Sequence, residues 1–239
     1  MMTQAAFFDL DDTLCDSATA FAAGRAAAFA EALARLPGVS RGALEVAWRQ
    51  AHAELLPALE AGALTMAEVR DTRFRRTLAA LGRADDALAD RLETLLGETQ
   101  LARLRAFDDV AALGALRNRG VFVGVITNGA DDARPDSQRT KAERLGLLAT
   151  LDGFWASDTM GYRKPDPRAF APALAAAGCA AGESLFVGDS LASDIAGANA
   201  AGLRSVLLAR GDVALAPGQA QPWRVARSLW ETCDLIERA

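Results

Sequence analysis

Short apolar runs that each end in a polar cluster constrain this chain more than any other feature. AAFFDLD at 5–11, VFVGVIT at 121–127, GFWAS at 153–157, SLFVGD at 184–189 and RSVLLA at 204–209 lack the alternation of a strand with one wet face. Strands of this kind are buried on both faces, and the helical stretches between them predict a parallel sheet covered by helices. In such sheets ligands bind outside the carboxyl ends of the strands. The residues just after each run are therefore the first candidates for chemistry.

Between the first and second runs, residues 17–104 read as helix throughout. Phe29, Leu33 and Leu36 recur at spacings of four and three, as do Leu44, Trp48, Ala51, Leu55 and Leu59, giving one apolar stripe each. PGVSRG at 37–42, EAGALT at 60–65 and LGRADD at 81–86 carry the Gly, Pro, Ser and Thr punctuation that divides the stretch into about four helices. The expected organisation is an α/β, Rossmann-like doubly wound parallel sheet built from residues 1–16 and 105–239, with an all-helical domain at 17–104 inserted after the first strand. A hydrophobic content of 51% over 239 residues supplies the core that this needs.

Charge and rare residues exclude several classes of function. A net charge of −5 disfavours nucleic acid and anionic membrane surfaces as partners. The N-terminal stretch MMTQAAFFDLDD lacks a basic region followed by an apolar signal-like segment, and no run approaches the ~20 apolar residues of a membrane span, so a cytoplasmic enzyme is expected. Cys15, Cys179 and Cys233 lack metal-site spacing and read as reduced thiols. His52, the sole histidine, falls in a helical stretch and reads as a surface or packing residue, which disfavours a histidine-based nucleophile mechanism. The arginines at 25, 49, 70, 73, 75 and 76 read mostly as a solvated face, and Trp48, Trp155, Trp223 and Trp230 as core or packing residues.

The strand ends, in contrast, form a coherent set. After the first run come Asp9 and Asp11, after the second Thr127 and Asn128, after the third Lys164, and after the fourth Asp189 with Asp194 beyond it. Carboxylates at 9, 11 and 189 brought to one crevice repel each other unless a cation sits among them, and an all-oxygen set suits Mg²⁺. One such carboxylate can attack phosphorus while a second shuttles the proton to the leaving group and then from water. Their i, i+2 spacing lets both side chains leave the strand end on the same side. The charge spread over a transferring phosphoryl group would be met by Lys164, the Thr127 hydroxyl and backbone N–H groups near Asn128.

DLDDT, VITNG, KPDP and GDSLASD, in this order, resemble the four motifs of the haloacid dehalogenase-like (HAD) hydrolase superfamily, and the helical insertion resembles the C1-type cap of its subfamily I. The resemblance implies Asp9 as nucleophile and Asp11 as general acid/base, with Thr127, Asn128 and Lys164 binding phosphate and Lys164 also steadying the nucleophile. It implies Asp9, Asp189 and the carbonyl oxygen of Asp11 as Mg²⁺ ligands, with Thr13 and Asp194 standing behind them, and a cap that closes to exclude water. Dehalogenases of this fold keep no aspartate two residues after the nucleophile and need no metal, so Asp11 favours phosphate chemistry. ITNG followed by Gln138, Lys141 and RLGL is similar to the branch of N-acylneuraminate-9-phosphate phosphatases and pyrimidine 5′-nucleotidases, with phosphoglycolate phosphatases nearly as similar. ADDARPDSQRT at 130–140 departs from that branch in being longer and more acidic. The expected partner is a small phosphorylated metabolite: a nucleoside monophosphate, a sugar phosphate or phosphoglycolate. The enzyme itself would be a monomer or homodimer. A phosphomutase of β-phosphoglucomutase type and a non-catalytic phosphate-binding protein are the alternatives.

Overall fold

Each of the five apolar runs forms a strand: β1 (Ala5–Phe8), β2 (Phe122–Thr127), β3 (Gly153–Ala156), β4 (Ser184–Gly188) and β5 (Arg204–Leu208). They come from a computed structural model that describes residues 3–211 and 215–237. A sixth strand, β6 (Arg224–Ala226), lies at the sheet edge; Arg224 and Val225 are exposed there, so no continuous apolar run marks it in the sequence. The order is β3-β2-β1-β4-β5-β6 and every pairing is parallel. The strand order therefore reverses between β1 and β4, and the ends of these two central strands frame the topological switch point.

One compact unit comprises the described residues up to Asp16, Arg105–Asn128 and those from Ala142 onward. Its core packs Phe7, Ile126, Phe170 and Phe186, with Phe122 and Trp155 against them. Phe170 meets Phe186 edge-to-face at 5.1 Å and 84°. Each such side chain, fully buried, contributes roughly 1.5–3 kcal/mol of transfer free energy. Gly124 in β2 makes room for this packing, because a Cβ there would stand 2.8 Å from the Trp155 ring and 3.0 Å from Phe7.

The second unit comprises Ser17–Leu104 and Gly129–Lys141. It holds the four helices α1 (Ser17–Arg35), α2 (Arg41–Glu60), α3 (Met66–Ala80) and α4 (Asp86–Arg103), separated where the punctuation predicts. Ser40 caps α2, Thr65 and Glu68 form a capping box on α3, and Asp85 caps α4, which satisfies N–H groups that the first turns leave orphaned. Phe29, Leu44, Trp48, Phe74, Leu78, Leu92 and Leu96 fill the interior. At Gly24 a Cβ would lie 2.5 Å from the Leu96 carbonyl, so the close approach of α1 to α4 requires glycine.

One expectation about this unit is corrected. Arg70 and Arg73 are not on a solvated face: they are 5% and 4% exposed. Arg73 donates through Nε to Glu93 at 2.8 Å, and Arg70 Nε lies 2.9 Å from Asp136 in the segment after β2. Periodicity places a side chain on a helix face but does not say which carboxylate meets it. Outside this unit, Trp230 is 47% exposed and is no core residue. His52 is half-buried with its ring 4.3 Å from that of Trp48, a packing arrangement in which burial and then the Arg73 charge lower its pKa. Among the described residues no helix is long and apolar enough to cross a membrane.

Candidate active site

β1 stops at Phe8 because the next residues leave the sheet as a tight acidic turn. The Asp9 N–H still donates to the Val187 carbonyl at 2.9 Å, which anchors this residue beside the end of β4. Beyond it the Asp12 N–H donates to Cys15 at 2.8 Å and the Leu14 N–H to Leu10 at 2.9 Å. Asp12 has φ +60°, a left-handed conformation that aspartate tolerates better than most residues.

Lys164 lies at the centre of the constellation. Its ammonium is 2.8 Å from Asp9 Oδ1 and 2.8 Å from Asp194 Oδ1, and 4.8 Å from the centre of the Phe186 ring. Burial pushes this ammonium down, but the Asp194 and Asp9 carboxylates outweigh burial and hold its pKa above the usual value. Asn128 fixes the lysine's backbone from both sides: its Nδ2 donates to the Lys164 carbonyl at 2.8 Å, and its Oδ1 accepts the Lys164 N–H at 2.8 Å.

Asp194 is fully buried in a π-helical turn, Leu191–Ile195, where its Oδ2 accepts the Ser190 N–H at 3.0 Å. Gly188 is obligatory beneath it, because a Cβ there would stand 2.4 Å from the Asp194 carboxylate. Asp189, the first residue after β4, accepts a hydrogen bond from the buried Thr13 hydroxyl at 3.2 Å.

Carboxylate oxygens of Asp9, Asp189 and Asp194 all lie within 4.8 Å of one another. With Lys164 they form a set of three carboxylates around one ammonium, formally −2. The proton affinities register this surplus. Burial, against the pull of Lys164 and with the help of Asp194 and Asp11, pushes Asp9 up to about 7. Partial burial of its carboxyl, followed by the charges of Asp194 and Asp12, pushes Asp189 up to about 6, although the residue as a whole is exposed. At the end of β2 the Thr127 hydroxyl is buried without a hydrogen-bond partner. Such a group costs about 1–3 kcal/mol unless a ligand satisfies it.

The structure thus brings Asp9, Asp189, Asp194, Lys164 and Thr13 into direct contact or near-contact. It places Thr127 at the end of the adjacent strand, and it assigns the Asn128 side chain to the Lys164 backbone. The Asp11 carboxylate is not one of the three mutually close carboxylates. Phe186 and Ser190 complete the surroundings and were not anticipated: Phe186 looks like any strand residue, and Ser190 like any turn former.

A family model for haloacid dehalogenase-like hydrolases matches residues 3–202. The chain belongs to this family. It is 34% identical over 223 residues to a phosphoserine phosphatase of Thermus thermophilus, covering 85% of this chain and 87% of that one. It is 32% identical over 227 residues to a phosphoglycolate phosphatase of Rhodospirillum rubrum, covering 88% and 81%. Among solved structures, a 2-haloacid dehalogenase of Pseudomonas syringae pv. Tomato superposes with a TM-score of 0.75 at 27% identity, over 99% of each chain. The magnesium-bound HAD-hydrolase YfnB of Bacillus subtilis does so with a TM-score of 0.74 at 23% identity, also over 99% of each, a likeness of fold. The four motif segments of this HAD-like hydrolase all fall within the matched residues.

Proposed function

We propose that this HAD-like hydrolase is a Mg²⁺-dependent phosphatase that cleaves a small phosphorylated metabolite through an aspartyl phosphate on Asp9. The observation that carries the reading is the surplus of carboxylate at the switch point: oxygens of Asp9, Asp189 and Asp194 lie within 4.8 Å of one another, and Asp9 and Asp194 share one buried cation, Lys164. The phosphoserine and phosphoglycolate phosphatases to which the chain is similar support it over most of the chain's length.

The residues present fit a hard dication. The donors are all oxygen, they carry more negative charge than Lys164 balances, and burial with neighbouring carboxylates raises the Asp9 and Asp189 pKa values. Asp9, Asp189 and the Asp11 carbonyl are the groups proposed to hold Mg²⁺, which when bound would neutralise phosphoryl oxygens and keep Asp9 ionised.

The chain's own residues then divide the work. Lys164, at 2.8 Å, holds the Asp9 carboxylate in orientation and offers charge to the phosphoryl group. The Asp9 oxygen attacks phosphorus as the ester P–O bond breaks, while Asp11 gives its proton to the departing oxygen. Asp11, now a carboxylate, takes a proton from the water that attacks the aspartyl phosphate, which returns Asp9 and releases inorganic phosphate. The orphan Thr127 hydroxyl donates to a phosphoryl oxygen. Asp194 fixes Lys164, and the Asn128 side chain fixes that lysine's backbone. The helical unit serves as the cap that selects the leaving group.

A panel of phosphoserine, phosphoglycolate, sugar phosphates and nucleoside monophosphates, ranked by kcat/KM with Mg²⁺ present, tests the reading. One class standing out by roughly 100-fold names the substrate. No phosphate release from any member overturns the proposal.

A further inference from the structure

We infer that Arg210, two residues past the end of β5, is a positioning residue that holds the acidic turn and Asp189 in the geometry that binds Mg²⁺. The inference rests on the proposed reading of Asp189 as a metal ligand, and Arg210 and its partner Asp109 lie outside the four motifs.

Arg210 is fixed on three sides. Nη1 and Nη2 donate to Asp109 Oδ2 and Oδ1 at 2.9 and 3.0 Å, a bidentate pair. Nη2 also donates to the backbone carbonyl of Thr13 at 2.9 Å. The guanidinium lies 3.8 Å from the centre of the Phe107 ring. A planar fork so held has no freedom to follow a shifting loop; the loop must follow it.

The far ends of this arrangement are both anchored. Asp109 is buried and accepts the Leu229 N–H at 2.8 Å, which ties it to the start of the helix Leu229–Glu237. Thr13 is fully buried, and its hydroxyl donates to Asp189 at 3.2 Å. A continuous run of hydrogen bonds therefore leads from that C-terminal helix through Asp109, Arg210 and Thr13 to Asp189. Because the guanidinium bonds the Thr13 carbonyl and the Thr13 hydroxyl bonds the carboxylate, Arg210 sets the direction from which Asp189 is held. Groups that orient a metal's ligands in this way typically change affinity by about 10–100-fold when removed. A lysine cannot reproduce three such bonds, being a point charge without the fork.

The alternative is that Arg210 merely braces the C-terminal helix. Direct Mg²⁺ binding by calorimetry on the full chain separates the two. Arg210→Met is expected to weaken Mg²⁺ binding by about tenfold, with Thr13→Val weakening it comparably. The double variant should weaken it no more than the larger single change, because both act through one path. Arg210→Lys should recover less than half of the loss. Should Arg210→Met not fold, Arg210→Lys and Asp109→Asn carry the same comparison. Wild-type Mg²⁺ affinity in a folded Arg210 variant, with only thermal stability lowered, overturns the inference and leaves a brace. Absence of Mg²⁺ binding by the unaltered chain overturns the metal reading itself and the inference with it.

Discussion

Arg73 and Lys164 are both buried cations facing carboxylates, and their surroundings differ in one respect. Arg73, in the helical unit, meets a single partner, Glu93, and lies over the rings of Phe21 and Trp48 at 5.7 and 5.5 Å. Burial raises the Glu93 pKa and Arg73 pulls it back, so charge there is matched one to one. Lys164, in the sheet unit, faces Asp9 and Asp194 at once, with Asp189 close beside them. A matched buried pair needs nothing further and fixes the packing of helices. A surplus of carboxylate around one cation is complete only when more positive charge arrives, and such a surplus persists where function requires it.

The sharpest way to break this contrast is to neutralise one carboxylate in each region. Asp9→Asn is expected to lower kcat by roughly 10³-fold or more, because the amide cannot act as the nucleophile, while thermal stability holds or rises as repulsion is relieved. Glu93→Gln should do the opposite: activity per folded molecule stays, and stability falls, because Arg73 is left buried without its counter-charge. Initial rates and melting curves on the same preparations check both. Appreciable turnover by Asp9→Asn removes Asp9 from the nucleophile's role.

Removing the cations sharpens the comparison. Arg73→Met and Lys164→Met should each cost about 3–5 kcal/mol by stranding buried carboxylates. Only in Lys164→Met should added Mg²⁺ restore part of the stability, as read by urea unfolding. Equal recovery in both variants, or in neither, contradicts the distinction drawn between the regions.

The pH dependence of the metal-free protein gives a smaller effect of definite sign. Unfolded, Asp9 and Asp189 ionise near the ordinary 3.8; folded, their pKa values are about 7 and about 6. Between these values the folded state holds protons that the unfolded state has released, so these two groups make stability fall as pH rises from about 4 to 7 and level off above. Mg²⁺ acts on the ionised forms, so its stabilising shift in Tm should be larger at pH 7.5 than at pH 5. A shift that shrinks with rising pH counts against both carboxylates as ligands. The smallest effect belongs to the surface. Arg76 and Glu54 pair at 3.2 Å with both side chains nearly half exposed, so Arg76→Ala should change stability by less than about 1 kcal/mol.

The parallel sheet was legible because strands buried on both faces must be written as continuous apolar runs. The four helices were legible because PGVSRG, EAGALT and LGRADD separate them, and Ser40, Thr65 and Asp85 within these stretches cap the three helices that follow. β6 was not, since an edge strand with Arg224 and Val225 outward has no apolar pattern to read. At the site, the polar residues that follow the strands were visible. Side-chain pairings across long sequence separations were not visible. Nothing in the sequence joins Arg70 to Asp136, turns the Asn128 amide toward the Lys164 backbone, or links Arg210 to Thr13. Those depend on which strand ends and loops the topology makes neighbours.

This member of a family holding both phosphatases and dehalogenases is proposed to work on phosphate with a metal. The most direct test measures inorganic phosphate released from phosphoserine and phosphoglycolate in Mg²⁺ and in EDTA, with halide released from 2-chloropropionate followed in parallel. Phosphate release that EDTA abolishes is expected, with no halide under either condition. Halide release in EDTA without phosphate release would contradict the proposal.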